Sequence, residues 1–289
     1  MPGEFIRAIC LYSGSGEYKT SLNWRKEKIM KLAVFDIDGT LISQKNHSIS
    51  DTTILALRKL KEKGANLAIA SGRSFLAIDK RVMELNIFDW FICGNGTLVF
   101  DKNGKKIYVS EIEMDVFRRQ MEDAVMFDGV LQINYEKGME ILYGMDKMFQ
   151  YSVHFLGKNG TEKLFSDKRK EGKPTNGKCF IPDGQLRYYE NKYPELKFIP
   201  AQLDNYYDFV NKDCSKGQTL KRLMEYISVT KEEVIVFGDD YNDVEMLHEA
   251  GISVVMGNAN DNVKAVADYV TTECDKDGIW NALMHFNII

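Results

Sequence analysis

Apolar residues along this chain gather into short unbroken runs, separated by longer stretches in which they recur every three or four positions. The runs are Leu32-Ala33-Val34-Phe35, Asn66-Leu67-Ala68-Ile69-Ala70, Val234-Ile235-Val236-Phe237 and Ile252 to Met256. Each predicts a short strand buried on both faces. Between them lie helical stripes. Ile54, Leu57 and Leu60 follow Ser50, a helix-capping residue, and stop at Gly64. Further helices are predicted from Ser74 to about Leu85, along Leu220, Leu223, Met224 and Ile227, through Val244 and Leu247 up to Gly251, and from about Asp261. Continuous apolar strands alternating with amphipathic helices imply an α/β fold with a doubly wound parallel sheet.

From about Thr97 to Asp208 the texture changes to mixed short strands and helices, with Asp101-Lys102-Asn103-Gly104 predicting a hairpin turn between Leu98-Val99-Phe100 and Ile107-Tyr108-Val109. The expected organisation is a core built from 30–96 and 209–289, interrupted by an inserted α+β cap domain over 97–208. Gly94-Asn95-Gly96 and the segment from Asp208 to Lys212 are expected as its hinges. Residues 1–29 read as a tail or start-site extension ahead of the first strong strand. No internal repeat is visible.

Composition narrows the possibilities. The 289 residues are 44% hydrophobic and 28% charged, enough for one large or two smaller cores. A formal net charge of -4 provides no basic field for nucleic acid or an anionic membrane surface. The cysteines Cys10, Cys93, Cys179, Cys214 and Cys274 are far apart and form no C-x-x-C pair, so neither a zinc site nor a disulfide framework is expected. No secretory signal or membrane anchor is read at the start, and a cytoplasmic location is expected.

Three of the apolar runs lead straight into polar residues: Asp36 and Asp38 after the first, Ser71-Gly72-Arg73 after the second, and Gly238-Asp239-Asp240-Tyr241-Asn242-Asp243 after Phe237. Ligands of open parallel sheets bind at the carboxyl ends of the strands, so these tips are expected to share one crevice. Ser215-Lys216-Gly217-Gln218 has capping-box spacing and sets Lys216 at a helix N-terminus, a favourable place for phosphate. Asp36, Asp38, Asp239 and Asp243 would crowd four negative charges together, which calls for a cation. Magnesium, a hard ion that pairs carboxylates with a substrate phosphate, fits that need. The chemistry suggested is phosphoryl transfer: Asp36 attacks phosphorus, and Asp38 protonates the leaving oxygen and then activates water. Lys216, the Ser71 hydroxyl and backbone N–H groups beside it, at Gly72, would stabilise the phosphoryl oxygens.

This set, D-x-D-G-T after strand one, Ser after strand two, Lys before a helix and G-D-D-x-x-N-D at the last, resembles the haloacid dehalogenase superfamily of phosphatases. The resemblance runs from Met30 to Ile289 and is nearest the Cof-like sugar-phosphatase branch, whose large α/β cap sits between the second and third motifs. It implies that Asp36 is the nucleophile and Asp38 the general acid/base. It further implies that the metal is held by Asp36, the backbone carbonyl of Asp38, and Asp239, with Asp243 supporting directly or through water. Asn242 would touch the phosphate, and Asn95-Gly96 matches the pair leading into the cap of that branch.

Blander roles stand beside these. Asp240 is expected to face solvent or brace its loop, and Arg73 to position its loop. The lysine-rich stretch Lys168-Arg169-Lys170, with Lys173 and Lys178, reads as a solvated charge run. Tyr143, Tyr188, Tyr189, Tyr206 and Tyr207 are expected to build core in preference to contacting a sugar. The four histidines are scattered and suggest no catalytic triad. The expected activity is hydrolysis of a small phosphorylated metabolite such as a sugar phosphate, with the inserted domain closing over the crevice. A phosphomutase of the same superfamily and a non-catalytic phosphometabolite sensor are the alternatives.

Overall fold

The computed structural model describes residues 30–166, 170–201 and 203–289. The tail expected over 1–29 and the pair Lys168-Arg169 lie outside the described residues.

In chain order the elements are β1 (Leu32–Phe35), α1 (Asp51–Glu62), β2 (Asn66–Ala70), α2 (Lys80–Glu84), β3 (Trp90–Cys93), β4 (Leu98–Asp101) and β5 (Lys106–Val109). Then come α3 (Met114–Met126), β6 (Leu131–Tyr143), α4 (Met145–Ser166), β7 (Lys170–Phe180), α5 (Leu186–Lys192), β8 (Leu196–Pro200) and β9 (Tyr206–Asn211). The chain ends with α6 (Lys216–Tyr226), β10 (Val234–Gly238), α7 (Val244–Glu249), β11 (Ile252–Val255), α8 (Asp261–Lys264), β12 (Tyr269–Val270) and α9 (Gly278–His285).

Among the described residues the strands form two sheets. The first has eight strands in the order β12-β11-β10-β1-β2-β3-β4-β5, parallel except where β4 and β5 join antiparallel. Successive side chains on a strand point to opposite faces, and here both faces are buried. Ala33, Phe35, Leu67, Ile69, Ile235 and Phe237 pack towards α1 and α9. Leu32, Val34, Ala68, Ala70, Val234 and Val236 pack towards α6 and α7. Phe35 and Phe237 stack across the β1/β10 seam at 4.9 Å between ring centroids. That seam is where the strand order reverses, so the tips of β1 and β10 open onto the crevice in which such sheets bind ligands.

The second sheet has four antiparallel strands, ordered β6-β7-β9-β8. Its apolar face, with Leu131, Ile133, Cys179 and Phe209, packs with Phe117 of α3 and with Tyr189 of α5 and the adjacent Tyr193.

Two sequence expectations change. The hairpin at Leu98–Val109 extends the first sheet, β4 pairing with β3, although it falls inside the 97–208 segment. Local patterning shows a hairpin but not which sheet it joins. The helix expected from Ser74 to about Leu85 is broken into a short turn at Phe75–Ala77 and α2, because Ile78 and Asp79 are extended and the Asp79 carboxylate caps a fresh start at the Arg81 N–H. The helix expected from about Asp261 is present as the short α8, Asp261–Lys264, with β12 and α9 after it. No helix among the described residues is long and apolar enough to cross a membrane.

Candidate active site

Asp36 directly follows β1 and its N–H extends the ladder to the Phe237 carbonyl of β10 at 3.0 Å. Asp239 and Asp243 follow β10. One carboxylate oxygen from each of Asp36, Asp239 and Asp243, all three residues buried, lies within 4.8 Å of the other two. Lys216, fully buried at the start of α6, donates to Asp36 Oδ1 and to Asp243 Oδ1, each at 2.7 Å. Its position is set by Ser215, whose hydroxyl caps α6 at the Gln218 N–H.

Asp243 closes its own loop: Oδ2 accepts from the N–H groups of Asp239 and Asp240. Asp239 is held by the Thr40 hydroxyl at 2.7 Å and by the Asn258 amide, which also donates to the Gly39 carbonyl. Gly39 is required here. Its φ is +98°, and a Cβ would lie 2.1 Å from Asp239 Oδ2. Asp240 caps the following turn at the Tyr241 N–H and stands outside the three-carboxylate group, so it braces its loop as expected.

Burial pushes Asp36 up to about 7; Lys216 pulls it down, while the charges of Asp243 and Asp38 push it further up. Asp239 is raised well above the ordinary carboxylate range, first by burial and then by Asp36 and Asp243. Burial works against the charged form of Lys216, but the Asp243 and Asp36 carboxylates overcome it and raise its pKa. Three carboxylates against one ammonium leave two negative charges in excess. That imbalance and the all-oxygen donor set suit a divalent cation.

Asp38 points elsewhere. Arg73 grips it through two parallel bonds, Nε to Oδ2 at 2.8 Å and Nη2 to Oδ1 at 2.6 Å, and also donates to the Ala77 carbonyl. The side chain of Asp38 therefore lies outside the cluster, and Arg73 positions a neighbouring motif as well as its own loop. Ser71 is buried, with its Oγ accepting from the Arg73 N–H. A Cβ at Gly72 would press on the Asn95 amide at 3.1 Å. Asn242 donates to Asn95 Oδ1 at 2.9 Å, and Asn95 donates to Asp208 Oδ2 of β9 at 3.1 Å. A cavity of about 120 Å³ adjoins these residues, lined by Asn95, Lys216, Asn242 and, from β8, Lys197 and Ile199.

Sequence reasoning missed Thr40 and Asn258. Asn258 had a signal, since it follows the run Ile252–Met256 just as the other motifs follow theirs. Lys178 was expected in a solvated charge run; it is half-buried and pairs with Asp208 at 2.5 Å, because the strand register sets it directly beside that carboxylate on β9. The lysines nearest it in sequence, Lys170 and Lys173, pair at the surface with Glu140 and Glu111. Of the tyrosines, Tyr189 is core, whereas the Tyr206 ring lies tilted against Tyr151.

Residues 33–283 match the family model of haloacid dehalogenase-like hydrolases. The chain belongs to that family. It is thus a hydrolase of the class that cleaves phosphoric monoesters. Phosphatase YwpJ of Bacillus subtilis is 27% identical over 288 residues, spanning 89% of this chain and 99% of that one. The HMP-PP phosphatase of Serratia proteamaculans is 24% identical, with 89% and 95% covered. Among solved structures, the phosphatase BT1666 of Bacteroides thetaiotaomicron superposes with a TM-score of 0.81 at 27% identity, covering 94% of this chain and all (100%) of that one. The subclass IIB sugar phosphatase BT4131 superposes with a TM-score of 0.77 at 30% identity, covering 90% and 100%.

Proposed function

We propose that this chain is a magnesium-dependent phosphatase of a small phosphorylated metabolite, of the sugar-phosphate type, acting through an aspartyl-phosphate on Asp36. The observation that supports it is the convergence of Asp36, Asp239 and Asp243 around one point, with Lys216 bridging two of them. The printed activities of the relatives, a sugar phosphatase and HMP-PP phosphatases, point the same way.

In this reading Asp36 and Asp239 hold the ion, with the Asp38 carbonyl and Asp243 in support. When bound, the ion offsets negative charge on the carboxylates and on the phosphoryl oxygens. An Asp36 oxygen attacks phosphorus, the bond from phosphorus to the ester oxygen breaks, and the departing oxygen takes a proton from Asp38. Asp38 then accepts a proton from water as that water attacks the phosphorus on Asp36, releasing orthophosphate and restoring the carboxylate. Arg73, which holds both Asp38 oxygens in the structure, keeps the side chain beside the crevice and gives up one oxygen when Asp38 carries the proton. Ser71, the Gly72 N–H, Lys216 and Asn242 surround the phosphoryl oxygens. The antiparallel unit inserted between the second and third motifs acts as a cap over the crevice.

Turnover in ¹⁸O-water with magnesium tests this reading. Label in the released orthophosphate, and a base-labile phosphoprotein trapped by acid quench that is lost in Asp36→Asn, are the expected results. A phosphomutase would return unlabelled phosphoryl groups to its substrate. A sensor would bind and release its ligand intact.

A further inference from the structure

The turn after β1 and the loop after β10 meet at unusually short range, and two features of the sequence allow it. One is the missing side chain of Gly39, whose Cβ would lie 2.1 Å from Asp239 Oδ2. The other is Asn258, from the loop after β11. Its Nδ2 donates to the Gly39 carbonyl at 3.0 Å and to Asp239 Oδ2 at 3.3 Å. A carbonyl and a carboxylate only accept, so with no donor between them these two oxygens repel. A single amide nitrogen, with its two hydrogens, joins them.

The amide is held in one orientation. Its Oδ1 accepts from the Cys274 N–H at 2.9 Å, and only one setting of the side chain satisfies both that donor and the Gly39 carbonyl. Main-chain groups therefore dictate that the donor end faces Asp239. The loop carrying Asn258 is fastened as well, by the Met256 N–H to the Gly238 carbonyl at 3.0 Å and the Gly257 N–H to the Thr272 carbonyl at 3.1 Å. Cys274 Sγ donates to the Thr40 carbonyl at 3.1 Å, so consecutive carbonyls of the β1 turn are each met by a donor.

We propose that Asn258 is a positioning residue that sets the gap between the β1 turn and Asp239, and so makes the site select magnesium over a larger divalent ion such as calcium. The proposal rests on the metal-dependent phosphatase reading above. Asp36, the Asp38 carbonyl and Asp239, which hold the ion in that reading, belong to the two segments that Asn258 joins. Magnesium takes oxygens at about 2.0–2.1 Å in near-ideal octahedral geometry, whereas calcium takes them at about 2.3–2.6 Å in flexible arrangements. A narrow, fixed gap suits the smaller ion. Without the shared amide the two facing oxygens move apart, which weakens magnesium binding more than calcium binding.

The test titrates magnesium and calcium separately into the metal-free full chain by isothermal calorimetry, with no substrate present. The wild type is expected to bind magnesium more tightly. Asn258 is exposed, so replacing it opens no cavity in the core. Asn258→Ala should raise the Kd for magnesium about tenfold and that for calcium about twofold or less, lowering the calcium-to-magnesium Kd ratio about fivefold or more. Asn258→Asp keeps an acceptor for the Cys274 N–H but sets a second acceptor against Gly39 and Asp239, and should lower the same ratio. Its added charge attracts both ions alike and cancels in that ratio. Urea midpoints in EDTA separate this from a role in folding, which would shift the midpoint and leave the ratio alone. A wild type that prefers calcium, or a ratio that stays level or rises in either variant, would overturn the assignment while leaving the phosphatase reading intact. Failure of the wild type to bind magnesium would overturn both.

Discussion

Replacing Asp36 with asparagine should abolish turnover and yet make the metal-free protein more stable at neutral and alkaline pH. Asp36 stands at about 7 in the folded protein against an ordinary 3.8, raised chiefly by burial. Below pH 3.8 the group is protonated in both states and costs nothing. As pH rises the unfolded chain ionises first, so folded stability is lost until pH passes about 7. With about 1.4 kcal/mol for each pH unit, the loss grows from about 1 kcal/mol at pH 4.5 to about 4 kcal/mol at pH 8. The amide that replaces the carboxylate has no such dependence, and Lys216 keeps its bond to Asp243. Urea denaturation followed by circular dichroism in EDTA, at pH 4.5, 6 and 8, should therefore show the variant gaining on the wild type by about 3 kcal/mol across that range. Magnesium at a hundred times its Kd should then restore about 2.7 kcal/mol to the wild type and much less to the variant. A stability gap that stays flat or narrows as pH rises would refute the view that Asp36 is a buried, poorly compensated carboxylate.

Removing Arg73 frees the Asp38 carboxylate from its two-bond grip, and Arg73→Ala is expected to lower kcat about tenfold or more, as two charge-assisted bonds would suggest; steady-state kinetics checks it. Gly39→Ala forces a methyl onto Asp239 Oδ2, so the magnesium concentration giving half-maximal activity should rise by an order of magnitude or more. Lys216→Met leaves Asp36 and Asp243 without their shared ammonium and should cost about 3–5 kcal/mol in urea denaturation at pH 8, with part of the deficit recovered on adding magnesium.

The convergence of the acidic strand tips was legible in the sequence because each is a local event, an apolar run ending in a polar turn, and a parallel sheet gathers such ends at one edge. Asp36, Asp239 and Asp243 come together for that reason, and Lys216 joins them from the capped start of α6. Contacts that depend on pairing across long separations were not legible. Thr40 reaches Asp239 across 199 positions, and nothing near either residue announces the partner. The Leu98–Val109 hairpin showed its turn but not its neighbour, since β3 is chosen by edge availability. Lys178 was misread because a charge run looks solvated until strand pairing fixes which alternate side chains turn inward.

The strands of chain that lead into the inserted unit and back out of it are bound to each other. A Cβ on Gly96 would lie 2.2 Å from the Ser215 carbonyl, Thr219 donates to the Gly96 carbonyl, and Asn211 donates to Ser110 and to the Glu111 carbonyl. The two crossings between the sheets are thus fastened side by side at one place. Asp208 of the inserted unit reaches back to Asn95 and through it to Asn242, so a unit spliced between the same anchor points would have to supply that carboxylate to leave the strand tips as they are.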